Sequence, residues 1–391
     1  MSKKTMKFAA FISGMLVLGA CLAGCANGTD SGTNGGNPTV DESTRDANYR
    51  SFWTSDTIRN ETVMLEEGMD GKITGKLLFT PTDIVSVKNF DLTIQYPMSG
   101  FMLNGNELIR TEGSTLPYMP NALANCQVPL GDGLSQYDGL LFTEGQGIVS
   151  KLILVTYTYN PSAEEWKSVP QDKSAELVHF RQKLQNREGA NLFVYGDSIA
   201  AGCSASSVLN YNPRLPVWGQ AVANELSAKY RTRVGYYNGS VGGWTSADGA
   251  LNIAQKIQTV PESAPDLAIV AFGMNDGSGS VPADTYYTNL KTILTEIRNR
   301  APACDIVLIS TIHANPLCSQ NKEITASYHA ENERLAAGFG NCVTVNMSSF
   351  SQELYERKTG FDLLANNINH PNDFLVRCYV MNLLDTIEGN G

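Results

Sequence analysis

Two kinds of hydrophobic patterning divide this chain of 391 residues. From about residue 50 to 160, short runs of β-branched and aromatic residues sit between Gly, Pro and Asn turn signals. The runs at 76–80, 83–87, 90–94 and 151–159 predict strands. No helical periodicity competes there, so a small all-β unit, a sandwich or jelly roll, is expected over 49–160. Residues 161–188 form a polar connection, closing with a short helix near 176–185. From 189 onward, apolar runs at 191–195, 234–238, 267–272, 306–311 and 343–346 alternate with amphipathic stretches near 217–230, 247–258, 284–300, 321–337 and 372–387. Five short strands alternating with helices predict an α/β domain around a mostly parallel sheet. Such sheets carry their sites at the carboxyl ends of the strands.

The first residues follow neither pattern. Lys3, Lys4 and Lys7 precede an apolar stretch from Phe8 to Leu22, too short for a convincing spanning helix. It ends in Leu22-Ala23-Gly24-Cys25, which resembles a bacterial lipobox. In that reading 1–24 is a signal peptide and Cys25 carries lipid, the one link to a membrane. An ordinary secretory signal is the alternative. Residues 25–48 are mostly Gly, Ser, Thr, Asn and Asp and read as a flexible tether.

Composition narrows the partners. Hydrophobic content of 42% with 17% charged residues is ordinary for a globular protein, and the formal charge is −10. That balance disfavours nucleic acid and anionic polysaccharide. Of eight cysteines, Cys126, Cys203, Cys304, Cys318, Cys342 and Cys378 follow the tether. They form no C-x-x-C pair, which argues against a zinc site. Export permits disulfides, with Cys304 and Cys342 each ahead of a strand; six buried thiols is the other reading.

The chemistry concentrates in four clusters at strand ends and in loops. Gly196-Asp197-Ser198-Ile199 follows the first α/β strand, where a serine at a strand-to-helix turn is exposed and near a helix N-terminus. Asp197 suits the role of ordering that turn. Gly242-Gly243 follows the second strand, where a backbone N–H can approach a substrate oxygen unobstructed. Trp244, next in the chain, either floors a binding surface or packs. Gly273-Met274-Asn275-Asp276 ends the third strand and offers a side-chain amide, with Asp276 a candidate brace. Asn367-Ile368-Asn369-His370-Pro371 precedes the last helix, and His370 is the best base in the chain; His313 is its one serious rival, against His179 and His329.

Together these clusters resemble the SGNH (GDSL-type) hydrolases, which are esterases and deacetylases. The resemblance covers about residues 190–390. It implies a three-layer α/β/α hydrolase domain with no metal or organic cofactor. It further implies Ser198 as nucleophile, His370 as base, and an oxyanion hole of the Ser198 N–H, the Gly243 N–H and the Asn275 amide, with Gly242 as the fallback. Many relatives carry Asp three residues before the histidine; here that position is Asn367. A Ser–His dyad is therefore expected, with Asn367 or a backbone carbonyl orienting the ring and Asp362 and Asp373 as substitutes. A β-unit ahead of such a domain resembles two-domain carbohydrate esterases. The expected partner is an acylated carbohydrate or other small ester, and no oligomeric state is implied. A lipase or thioesterase, and a non-catalytic glycan-binding surface lipoprotein, are the competing readings.

Overall fold

A computed structural model of the chain describes residues 46–131 and 133–389. The expected leader 1–24, Cys25 and the tether up to residue 45 lie outside the described residues.

In the β-rich half, strands β1 (Thr57–Met64), β2 (Glu66–Glu67), β3 (Ile73–Lys76), β4 (Pro81–Asn89), β5 (Phe101–Asn104) and β6 (Glu107–Arg110) precede the single turn α1 (Asn121–Ala124). Then come β7 (Leu134–Tyr137), β8 (Leu140–Thr143) and β9 (Leu152–Tyr159). They pair antiparallel as β1-β9-β4, as β2-β3-β6-β5, and as the hairpin β7-β8.

Two of the expected strands differ, for local reasons. Residues 90–94 form a turn: the Asn89 side-chain oxygen accepts from Ile94 N, Asp91 accepts from Thr93 N, and Leu92 adopts φ 63°. Asn and Asp compete for backbone donors in this way. Residues 77–79 are buried, and the segment 77–80 leaves the ladder after Lys76. Leu78 N donates instead to Glu61 Oε1 (2.9 Å) and Phe79 N to the Tyr157 hydroxyl (3.1 Å).

The connection ends in α2 (Val178–Gln185), and the α/β half follows. Its strands are β10 (Ala190–Gly196), β11 (Val234–Asn238), β12 (Leu267–Ala271), β13 (Asp305–Ser310) and β14 (Cys342–Asn346). They form one parallel sheet in the order β11-β10-β12-β13-β14. Between and after them run α3 (Ser198–Ala201), α4 (Trp218–Tyr230), α5 (Ser246–Lys256), α6 (Met274–Ser278), α7 (Ala283–Arg300), α8 (Ile324–Phe339), α9 (Met347–Tyr355), α10 (Gly360–Leu363) and α11 (Asp373–Glu388).

Alternate strand residues feed two cores, as a period of two requires. Leu192, Val194, Ile269 and Val307 face the core containing α4, α9 and α11. Phe193, Tyr195, Val270 and Leu308 face the core under α5, α7 and α8. The expected α/β/α layering is therefore present, with α3, α6, α9 and α10 additional to the helices read from periodicity. The six cysteines after the tether are free thiols, five of them buried.

The β-rich half shares the first of these cores: Phe52, Val63, Phe79 and Tyr157 are continuous with Phe350, Leu375 and Tyr379. Polar contacts reinforce that packing along β1. The Arg377 guanidinium donates to the Arg59 and Asn60 carbonyls. Asp362 accepts from Met64 N at 2.7 Å. Lys358 Nζ lies 2.7 Å from Glu61 Oε1, with both side chains fully enclosed, and it also donates to the Lys76 carbonyl. Glu61 further accepts from the Tyr157 hydroxyl.

Removing one partner of an enclosed ion pair leaves the other charge without compensation. Lys358→Met should therefore destabilise the protein by about 3–5 kcal/mol, read from denaturant unfolding. A loss below about 1 kcal/mol would mean that Glu61 finds another partner.

Candidate active site

Sheet order places the site. β10 lies between β11 and β12, so the chain leaves it first to one side and then to the other, and the crevice at that switch point opens at the carboxyl ends. Three of the four clusters follow β10, β11 and β12. Backbone and side-chain bonds then tie these loops to one another.

Gly196 ends β10 where a side chain could not fit: a Cβ there would lie 2.1 Å from the Ala271 carbonyl oxygen. Asp197 caps the following turn, accepting from Ile199 N at 3.0 Å, and Ser198 opens α3. Val241 N donates to the Gly196 carbonyl (3.1 Å), and the Asn238 amide donates to the Ala200 carbonyl (3.0 Å). Both bonds bind the Gly242-Gly243 loop to the Ser198 turn. Gly243 has φ 81°, a conformation that favours glycine. Asp276 accepts from the backbone and hydroxyl of Ser246, the first residue of α5, and so braces the second loop against the third. Asn275 Nδ2 donates to the Trp244 carbonyl at 2.8 Å, which leaves its second amide hydrogen available. The Gly243 and Ser198 N–H groups have no partner among the described residues. Trp244 packs edge-on to Tyr195, with Lys256 over its ring.

The fourth cluster reaches the first across the sheet edge. His370 Nε2 lies 3.0 Å from Ser198 Oγ, and both residues are buried. The histidine loop is shaped by Asn366, whose side-chain oxygen accepts from the N–H groups of Ile368, Asn369 and His370 at 2.9–3.0 Å. The Ala365 N–H closes it onto the His370 carbonyl.

The structure does not bring Asn367 to the imidazole, which corrects the expected orienting role. Asn367 adopts φ 62°. Its Nδ2 donates to the Leu141 carbonyl (2.9 Å), and its Oδ1 accepts from Asn315 (2.9 Å). Asp362 and Asp373 are equally committed elsewhere, Asp362 to Met64 N and Thr359 N, Asp373 to Ser206 N. The groups facing His370 Nδ1 are instead Ser204 Oγ at 3.3 Å and the Glu144 carboxylate, from the β-rich half, at 3.6 Å. Sequence reasoning named neither these two nor Asn366. The rival His313 pairs with Ser348 Oγ (3.0 Å) and Asn321 Oδ1 (3.2 Å). His179 pairs with Asp266, and His329 with Glu333.

A hydroxyl facing an imidazole, beside two unpartnered N–H groups and a half-used amide, can carry nucleophilic attack on a carbonyl. Residues 194–374 match the family model described as GDSL-like Lipase/Acylhydrolase family. No curated protein matches the chain. Among solved structures, a two-domain esterase (CEX) active on acetylated mannans, co-crystallised with mannopentaose, has a TM-score of 0.43 at 18% identity. That match covers 55% of this chain and 55% of the other, so the chain spans about half the length of that relative. A variant of Axe2, an acetyl-xylooligosaccharide esterase from Geobacillus Stearmophilus, has a TM-score of 0.41 at 18% identity, covering 51% of this chain and 94% of that one. The lipase/acylhydrolase from Enterococcus faecalis has a TM-score of 0.38 at 20% identity, covering 50% and 95%.

Burial pushes the Asp197 carboxyl up to about 7. Between the ordinary carboxylate value of about 4 and that value, the folded protein holds a proton here that the unfolded chain has released. Stability therefore falls as pH rises through that window and levels off above it. Asp197→Asn should gain stability relative to the parent as pH goes from 4.5 to 8, by denaturant unfolding at each pH. A difference that stays constant with pH would contradict this.

Proposed function

We propose that this protein is a serine esterase that removes acetyl or similar short acyl groups from carbohydrate. The observation that carries the esterase reading is the 3.0 Å approach of Ser198 Oγ to His370 Nε2 beside the oxyanion donors. Ser198 Oγ attacks the ester carbonyl and forms the Oγ–C bond while its proton passes to Nε2. The carbonyl oxygen takes the negative charge and is met by the Ser198 and Gly243 N–H groups and the Asn275 amide. Nε2 then returns the proton to the departing alkoxide. Water, deprotonated by the same nitrogen, cleaves the acyl-serine by the reverse path.

The polar character of the rim supports a sugar alcohol over a long acyl chain. Beside His370, Asn369 Nδ2 donates to Gln320 Oε1 (2.9 Å), and Gln320 Nε2 donates to the Tyr137 hydroxyl (2.6 Å). Amides and a phenol match the hydroxyls of a carbohydrate, whereas a lipase needs apolar walls for its acyl group. The protein would act outside the cytoplasm, held by lipid on Cys25, as the Lys-rich start and the Leu22-Ala23-Gly24-Cys25 pattern suggest.

The test is acetate release from acetylated xylan and from a chromogenic acetate, alongside a chain-length series. Ser198→Ala should lose about 10³-fold or more in kcat on both. Preference for long acyl chains would favour the lipase reading. No turnover of any ester by the folded parent would favour a binding lipoprotein.

A further inference from the structure

The position of Glu144 is set by contacts that bear directly on the histidine loop. It follows β8, and both sides of it are pinned. On one side, Asn367 Nδ2 holds the Leu141 carbonyl, and Thr143 Oγ accepts from Gly145 N. On the other, Gln146 Nε2 donates to the Leu209 carbonyl at 2.9 Å. The hairpin carrying it is docked by an apolar cluster of Tyr137, Leu140 and Phe142 with Cys318 and Ile368, two residues from His370. Asp138 accepts from Ser319 N on the same side. Thus a segment 226 positions away in sequence (370 − 144) is fixed against the loop of the base, with its carboxylate aimed at the ring.

With Nε2 accepting from the Ser198 hydroxyl, Nδ1 carries the ring proton and needs an acceptor on its far side. Ser204 Oγ accepts it at 3.3 Å but brings no charge. Glu144 at 3.6 Å stands at ion-pair distance, beyond an ordinary hydrogen bond, with its side chain about one-third exposed. The other carboxyl near the ring, Asp197, is committed to Ile199 N.

We propose that Glu144 is the positioning carboxylate of His370, supplied by the β-rich half, and that it stabilises the imidazolium formed as Ser198 attacks. The β-rich half is then part of the catalytic apparatus, not an appended module. Asn367, in place of orienting the ring, anchors the strand that delivers the acid. The assignment rests on the esterase reading for its kinetic consequences but not for its geometry.

The experiment pairs steady-state kinetics on a chromogenic acetate with nitrogen NMR of the His370 imidazole in the full chain. Glu144→Gln keeps the size of the side chain and removes its charge. It should lower kcat about 10²-fold with little change in KM, and move the acid limb of kcat/KM to lower pH. Glu144→Asp should recover part of the rate. In a His370→Ala background, Glu144→Gln should cost nothing further, because it acts only through the ring. NMR should show Nδ1 protonated in the parent, with that preference weakened in Glu144→Gln. If kcat, pH profile and ring tautomer all match the parent, the proposal is overturned. A parent that cleaves no ester while its tautomer still depends on Glu144 would sink the esterase reading and leave the positioning role standing.

Discussion

The His370 imidazole faces the Ser198 hydroxyl across 172 residues of sequence, and the proposed chemistry depends on holding that approach at 3.0 Å. Neither residue could do so from its own element alone. Ser198 rides on a turn fixed by β10 and by the capping carboxylate of Asp197. His370 stands in a loop with no ladder of its own beyond a single bridge between Leu364 and Pro371. Its geometry comes from Asn366, whose one side-chain oxygen gathers three N–H groups, and from the packing of Ile368 beneath the β7-β8 hairpin.

That dependence explains why the two halves are joined so firmly. A β-unit that served only to recruit substrate could sit at the end of a linker. Here β1 is fastened to residues 358–377 by buried charge, by carboxylate-to-backbone bonds and by a continuous apolar core. Burying charge of this kind is costly unless every partner is satisfied. Lys358 meets both Glu61 and a backbone carbonyl, and Glu61 also receives a hydroxyl and an N–H. At the end of this seam Met64 shares an apolar cluster with Leu141 of the hairpin that faces the histidine.

Much of this was legible in sequence wherever the signal was local. The five parallel strands were readable because each is a short apolar run between amphipathic helices. That the clusters of Ser198, Gly243, Asn275 and His370 would meet was readable because each is compact and sits at a strand end or ahead of a helix. Residues 77–79 misled because apolar content fixes burial but not backbone pairing, and 90–94 because Asn89 and Asp91 draw the backbone donors into a turn. Asn367 misled for a conformational reason: its left-handed backbone turns the side chain toward Leu141, which spacing from the histidine does not reveal. Glu144 carried no local signal at all. Its place is set by hairpin docking, a contact between distant parts of the chain that no periodicity encodes.

The central claim is that Ser198 is an activated nucleophile, and a fluorophosphonate reagent tests it without knowledge of the natural ester. The folded protein would be treated with reagent, digested and mapped by mass spectrometry, alongside Ser198→Ala and His370→Ala. Stoichiometric modification of Ser198 in the parent, abolished in the first variant and strongly slowed in the second, is the expected result. An unmodified parent, or labelling that persists at another residue when Ser198 is replaced, would contradict it.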